Sequence, residues 1–229
     1  IVLMLDRSVG NLVPYLMNEN PELKEQFAGF KYYENTISFG AFTNFGSPAL
    51  MGGYEYTPVE MNKRDSESLV SKQNEALKVM PVNFLNNDYK VTVCDPVYAN
   101  YQWIPDLSIY DDYPEIQTYI TKGKFGDVEN KKTLIVNNKR NFFCFSVMKS
   151  MPLYLQSIIY NGGEYNQVSN SIETQVTDGM SKAKGSNTTF EECYQVLTHM
   201  SDMTNITEET KNTFLLMTND TTHEPTLLQ

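Results

Sequence analysis

The sequence predicts an α/β fold with a mainly parallel central sheet and helices on both faces. Short apolar, β-branched segments alternate with helix-like ones along the chain, the pattern of strands joined by crossover helices. The first segment, Ile1 to Leu5, is apolar throughout and ends in the polar cluster Asp6-Arg7-Ser8, as a strand buried on both faces does. Asp6 follows the first such segment and His223 follows the last, and parallel sheets bind ligands beyond their carboxyl ends.

After the Ile1–Leu5 strand, Pro21 to Phe27 reads as a short helix with Asn20 as its cap and Pro21 in its first turn. Gly29 to Thr36 holds Phe30, Tyr32 and Tyr33 and reads as a second strand. Thr43 to Met51 reads as a helix closed by Gly52-Gly53. Ser66 to Leu85 has helical spacing interrupted by Pro81. Tyr89 to Val93 alternates and reads as a strand, and Cys94 to Ser108 is a loop rich in Tyr and Pro with Trp103 in it. Pro114 to Thr121 is expected to be helical, as is most of Lys131 to Ile159. Asn161-Gly-Gly163 is a break, and Gly179 to Thr189 is small, polar and expected to be a loop. Phe190 to Met203 has an amphipathic helical pattern, and Thr213 to Thr218 reads as a buried strand.

The 229 residues suffice for one substantial core, with no repeat and no linker, so residues 1–229 are expected to form one domain. The net charge of −10 argues against a nucleic-acid partner, because phosphate backbones need basic patches. The pairs Lys131-Lys132 and Lys139-Arg140 are too sparse to change that. Cys94, Cys144 and Cys193 are odd in number and lack metal spacing, so they read as small buried hydrophobes. No apolar run is long enough to span a bilayer, since the best stretch, Phe142 to Tyr160, contains Lys149, Pro152 and Gln156. The opening at Ile1, without initiator Met or leader, is read as the cut edge of a larger protein, with a membrane anchor possible in the preceding segment.

The stretch from Thr36 to Gly53 carries the chemistry. Thr43 stands between a glycine-broken approach and a new helix. A hydroxyl there either caps the helix or acts as a nucleophile on an anion held by the helix N-terminus. Asp6 is either a hard-cation ligand or a partner of Arg7. His223 is either a proton donor or oxyanion binder, or a loop histidine before Pro225. Asn44 is a phosphoryl-oxygen donor or a first-turn helix residue. Trp103 lines an acceptor pocket or anchors its loop. Arg7 binds an anionic substrate or pairs on the surface. His199, on a helix as Thr-His-Met, reads as structural.

Taken together, these segments resemble the alkaline phosphatase-like superfamily. The closest likeness is to its membrane-anchored sulfatase-like branch: lipoteichoic acid synthases, phosphoglycerol transferases and phosphoethanolamine transferases. Ile1-Val-Leu-Met-Leu-Asp6 resembles that group's first strand with its acidic metal ligand. Asn35-Thr36-Ile37-Ser38 followed by Thr43-Asn-Phe-Gly46-Ser47-Pro48 resembles the nucleophile segment, and Leu215 to Pro225 resembles a later strand ending in a His-Pro type segment. The strand-end ligand is Asp where that group more often has Glu, and Cys94-Asp95-Pro96 stands where it often has a substrate-contacting His.

The resemblance implies a divalent metal (Zn, Mn or Mg) held in part by Asp6 and Thr43, and a phosphothreonine intermediate on Thr43. It also implies assistance from His223 and substrate contacts from Asn44, Trp103 and Arg7. The reaction would move a phosphoglycerol- or phosphoethanolamine-type head group to a lipid or glycan acceptor, at the extracytoplasmic face of a bacterial membrane. With water as acceptor it becomes a phosphodiesterase or sulfatase-like hydrolase. A true sulfatase is disfavoured, because Thr43 is neither Cys nor Ser and no Arg follows Pro48 at that group's spacing. A module that keeps the fold and binds a glycan or protein through the Tyr98–Tyr113 loop is the non-catalytic alternative. The group's completing Asp-His pair is not found after His223, so the chain is expected to be the N-terminal part of a catalytic domain, inert as a fragment.

Overall fold

The structure is a computed structural model that describes residues 1–125, 128–160, 176–177, 180–181, 188–206, 208 and 210–223. It divides into two compact units, one of Ile1–Thr121 with Ile206–His223 and one beginning at Lys122 and running to Asn205. The first unit holds β1 (Val2–Leu5), α1 (Val13–Glu19), α2 (Leu23–Gln26), α3 (Thr43–Gly52), α4 (Pro58–Asn62), α5 (Leu69–Asn86), β2 (Lys90–Cys94) and β3 (Gln117–Tyr119). The second holds α6 (Val128–Ser150), α7 (Leu153–Tyr160), the short strands β4 (Val176–Thr177) and β5 (Met180–Ser181), α8 (Thr188–Thr198) and α9 (Met200–Met203). The last strand, β6 (Thr213–Asn219), belongs to the first unit.

The α/β class with a parallel sheet holds. The four strands of the first unit lie in the order β1-β6-β2-β3, every neighbouring pair parallel. Their carboxyl ends therefore share one edge of the sheet. The registers pair Leu5 with Asn219 and Cys94 with both Met217 and Tyr119. β2 and β6 occupy the sheet interior, β6 with the apolar run Phe214–Met217 and β2 with Val91 and Val93 alternating with Lys90 and Thr92; Val91, Val93, Phe214, Leu216 and Met217 are all buried. Leu77 of α5 and Met51 of α3 join that core, and Phe84 of α5 stacks on Phe214 at 4.0 Å.

α5 runs through Pro81 instead of stopping there. Proline lacks the N–H that would bond the carbonyl four residues back, here that of Leu77. The buried Tyr110 hydroxyl supplies the missing donor, 3.1 Å from the Leu77 carbonyl oxygen. Burial also pushes the Tyr110 phenol well above its ordinary pKa, so it remains a donor.

Several expectations are corrected. Residues 29–36 form no strand; Phe30 and Tyr33 are exposed, and aromatic content without a neighbouring strand is not enough to make one. The Tyr32 hydroxyl instead ties this segment to the Gly10 carbonyl at 2.9 Å. Pro114 to Thr121 is not a helix; Gln117–Tyr119 pairs with β2, whose open side offers its β-branched and aromatic residues a ladder. The helix expected over Pro21–Phe27 is only Leu23–Gln26, and Asn20 is not its cap but ends α1, which the sequence reading missed. Lys131–Ile159 is mostly helical as expected, in two helices that part at Met151-Pro152. Phe190–Met203 is likewise divided, at His199. Within the expected loop Gly179–Thr189, Met180–Ser181 is a strand paired with Val176–Thr177, and Thr188-Thr189 opens α8. The rest of that segment, and Asn161-Gly-Gly163, lie outside the described residues. Cys94 and Cys193 are buried as expected, whereas Cys144 is only half-buried.

Tyr110→Phe leaves the Leu77 carbonyl buried without a donor, so it should cost about 1–3 kcal/mol in urea denaturation. Pro81→Ala restores a backbone N–H at that position. The cost of Tyr110→Phe should therefore shrink in the Pro81→Ala background, and equal costs in both backgrounds would contradict this pairing.

Candidate functional site

The carboxyl edge of the sheet gathers polar residues because three of its four strands end in one. β1 runs into Asp6, β2 into Asp95, and β6 into Asn219-Asp220. The β1–β6 ladder continues one step past the strand, where the Asp6 N–H donates to the Asn219 carbonyl at 3.0 Å. The Asn219 side chain accepts from the Thr221 N–H at 2.9 Å and from the Thr221 hydroxyl, folding the chain back after β6. Thr222 then donates its hydroxyl to the Asp6 carbonyl, and the His223 N–H donates to the Asp220 carbonyl at 2.9 Å. By these bonds the two ends of the described chain are brought to one place.

Beside this edge opens a cleft of about 1330 Å³, with Asp6, Arg7, Thr43, Asn44, Tyr98 and His223 among its lining residues. Five of the six site residues expected from sequence thus meet in one cleft. The sixth, Trp103, does not line it; its exposed indole packs edge-on against Tyr98 with ring centroids 6.2 Å apart.

Thr43 is the first residue of α3, but it does not cap the helix. The N-cap position belongs to Phe42, in extended conformation, and no side chain caps there. The Thr43 hydroxyl instead donates to Asp6, 3.0 Å from Oδ1 and 3.2 Å from Oδ2, across 37 residues of sequence. The first N–H groups of any helix lack intrahelical acceptors and carry its positive dipole end. In α3 they accompany a hydroxyl whose proton is directed at a carboxylate.

The Asn44 amide reaches the Tyr101 hydroxyl at 3.4 Å, a long bond that leaves donor capacity. Arg7 sits at φ 58°, in the left-handed region, and makes no ion pair among the described residues, so the surface-pair reading finds no partner here. His199 lies in the second unit, stacked on Phe125 at 4.4 Å with Nδ1 2.8 Å from the Gln195 carbonyl, as a structural histidine would be.

The sequence reading missed Tyr98 as a member of the site. The only signal was position, a tyrosine shortly after the strand-end Cys94-Asp95-Pro96. Burial first, and then the negative charges of Asp6 and Asp220, hold its phenol above the ordinary pKa. Its backbone is left-handed at φ 53°, as are Asn100 at 54° and Tyr101 at 56°. Non-glycine residues rarely adopt this region, and together they need an external clamp. α5 supplies it. The buried Gln73 amide donates to the Val97 carbonyl at 3.2 Å, and Asn74 exchanges two bonds with Asn100, at 2.6 and 2.9 Å. Asn100 also donates to Asp106 at 2.8 Å, which is the main reason the Asp106 carboxyl lies below its ordinary pKa.

As for metal, Asp6 and Thr43 offer hard oxygen donors, which suit a hard divalent cation. They are a partial set, since no group of three His, Cys, Asp or Glu side chains converges among the described residues. No helix among those residues is long and apolar enough to cross a membrane.

The small residues around Thr43 have a packing reason. A Cβ on Gly46 would stand 2.5 Å from Ser38 Oγ, while its next contacts are at 3.8 Å or more. Gly46→Ala should therefore destabilise the protein by about 1–3 kcal/mol. Removing the obstructing hydroxyl in Ser38→Ala/Gly46→Ala should recover most of it in guanidinium unfolding. If the double variant is no more stable than Gly46→Ala, Ser38 is not what the new methyl meets.

Comparison of the chain with family models, with curated proteins and with solved structures finds no match.

Proposed function

We propose that the cleft performs phosphoryl-group transfer with Thr43 as nucleophile, in the manner of the alkaline phosphatase-like superfamily that the sequence resembles. The observation that carries this reading is the Thr43 hydroxyl, at a helix N-terminus and unused as a cap, donating to the strand-end carboxylate of Asp6. That hydrogen bond turns the oxygen's lone pairs away from Asp6.

Thr43 Oγ attacks the phosphorus of a phosphodiester and the bond to the leaving oxygen breaks. The hydroxyl proton passes to the Asp6 carboxylate, and His223 gives a proton to the leaving oxygen. The backbone N–H groups of Thr43 and Asn44 and the Asn44 amide take the phosphoryl oxygens, where charge develops. In the second half, an acceptor hydroxyl attacks the phosphothreonine, giving up its proton to His223. Thr43 Oγ leaves and regains its proton from Asp6. A lipid or glycan acceptor makes the protein a head-group transferase, with phosphoglycerol or phosphoethanolamine as the class of group moved. Water makes it a hydrolase. Zn, Mn or Mg, held in part by Asp6 and Thr43, would lower the cost of the anionic oxygens when bound. Membrane attachment on the extracytoplasmic side of a bacterial cell belongs to the same proposal and rests on the resemblance alone.

The test is a covalent one. The full-length protein, quenched during turnover of a chromogenic phosphodiester, should carry a phosphoryl adduct on Thr43 by peptide mass spectrometry. Thr43→Ala should lose the adduct and about a thousandfold or more in turnover. Unchanged turnover in Thr43→Ala ends this reading. Binding of a glycan or protein by a form without turnover would favour the non-catalytic module instead.

A further inference from the structure

We propose that Tyr98 is a substrate-binding residue of this cleft, its phenol donating a hydrogen bond to a non-bridging oxygen of the phosphoryl group that Thr43 attacks. The inference rests on the phosphoryl-transfer reading above and extends it to a residue outside the nucleophile segment.

The first support is place. Tyr98 is half-buried and lines the same cleft as Asp6, Thr43 and His223. The second is how firmly it is held. Its ring is braced by Tyr101 and Trp103, each at 6.2 Å, and its left-handed backbone is part of a run clamped by Gln73 and Asn74 of α5. Strain of this kind persists where surroundings over-determine it, and it gathers at functional sites. The Asn44–Tyr101 bond links this braced segment to the first turn of α3, beside Thr43.

The third support is charge. An incoming phosphodiester is anionic, and the cleft presents it with the carboxylate of Asp6, with that of Asp220 close enough to act on Tyr98. Oxygens of such a substrate need donors that stay neutral and protonated. A phenol is such a donor, neutral and protonated at ordinary pH. Tyr98 thus offers the substrate an O–H donor without adding a negative charge.

Tyr98→Phe tests this, because it removes the hydroxyl while keeping the ring that packs on Tyr101 and Trp103. The probe is inorganic phosphate, titrated by calorimetry into the full-length protein with Mn²⁺ present. Trp103, the chain's single tryptophan and a neighbour of Tyr98, gives a second readout through its fluorescence. Tyr98→Phe should weaken phosphate binding by about tenfold or more, with Mn²⁺ affinity and thermal midpoint unchanged. Equal phosphate affinity in the variant overturns the assignment. So does a loss matched by falls in Mn²⁺ affinity and thermal midpoint, which would mark Tyr98 as packing only. The Thr43 adduct separates the two proposals: an adduct alongside unchanged phosphate affinity in Tyr98→Phe removes Tyr98 alone. If the wild-type protein binds no phosphate, both fall.

Discussion

The insertion of β6 between β1 and β2 is the constraint on which the rest depends. Those two strands are not neighbours, and among the described residues β1 pairs with β6 alone. Until the chain near residue 213 arrives, Val2 to Leu5 has no ladder and Val91 and Val93 lack one side of theirs. The insertion also builds the site. The Asp6 N–H closes on the Asn219 carbonyl, and the Thr222 hydroxyl closes on Asp6 across 216 residues. Loop-closure entropy must be overcome before these contacts form, so the site is assembled late by its topology. Asp6 is fixed by the last described strand, not by the segment that encodes it.

α5 plays the corresponding part on the other side of the cleft. Its inner residues form the core with β2 and β6, and its Gln73 and Asn74 reach out to hold the loop of Tyr98. The helix tolerates Pro81 because Tyr110, brought in from the same connection between β2 and β3, bonds the carbonyl that the proline leaves open. One helix thus anchors a left-handed run of residues at one point and receives a donor from the same connection at another. The loop could not keep these dihedrals on local preference, since Asn100 tolerates positive φ but Tyr98 and Tyr101 on either side of it do not favour it.

Legibility in the sequence follows the range of the interactions. Val2–Leu5 and Thr213–Asn219 could be read from their apolar runs, and Lys90–Cys94 from the alternation of Val91 and Val93 with polar residues, although none of the β1 residues is fully buried. The α3 boundaries could be read because Gly53, at φ 87°, needs a glycine to end the helix. Gln117–Tyr119 could not, since a three-residue strand after a proline has no periodicity to show and exists through its pairing with β2. Phe30 to Tyr33 made the opposite error, β-prone residues with no strand to pair with. In the cleft, Asp6 and His223 were found by their place after strands. Tyr98 was hidden because its importance lies in a backbone conformation and in neighbours that arrive from α5.

The first turn of α3 shows how local cost and site chemistry are connected. A Ser, Thr, Asp or Asn at the N-cap would stabilise this helix by about 1 kcal/mol. The chain places Phe42 there and shifts the hydroxyl one residue on, to Thr43. It then puts Gly46 and Pro48 inside the same ten-residue helix, both poor helix formers. Three unfavourable choices in one short element are not explained by helix formation, although packing of Ser47, Pro48, Ala49 and Met51 into the interior offsets them. They are explained if the first turn must leave the N–H groups of Thr43 and Asn44 uncovered by a cap, keep space for the loop of Ser38 and Gly40, and present Thr43 to Asp6. A hydroxyl at the N-cap would have turned back onto the helix. One residue later it reaches across to the sheet, and local rules are most often broken where a site requires it.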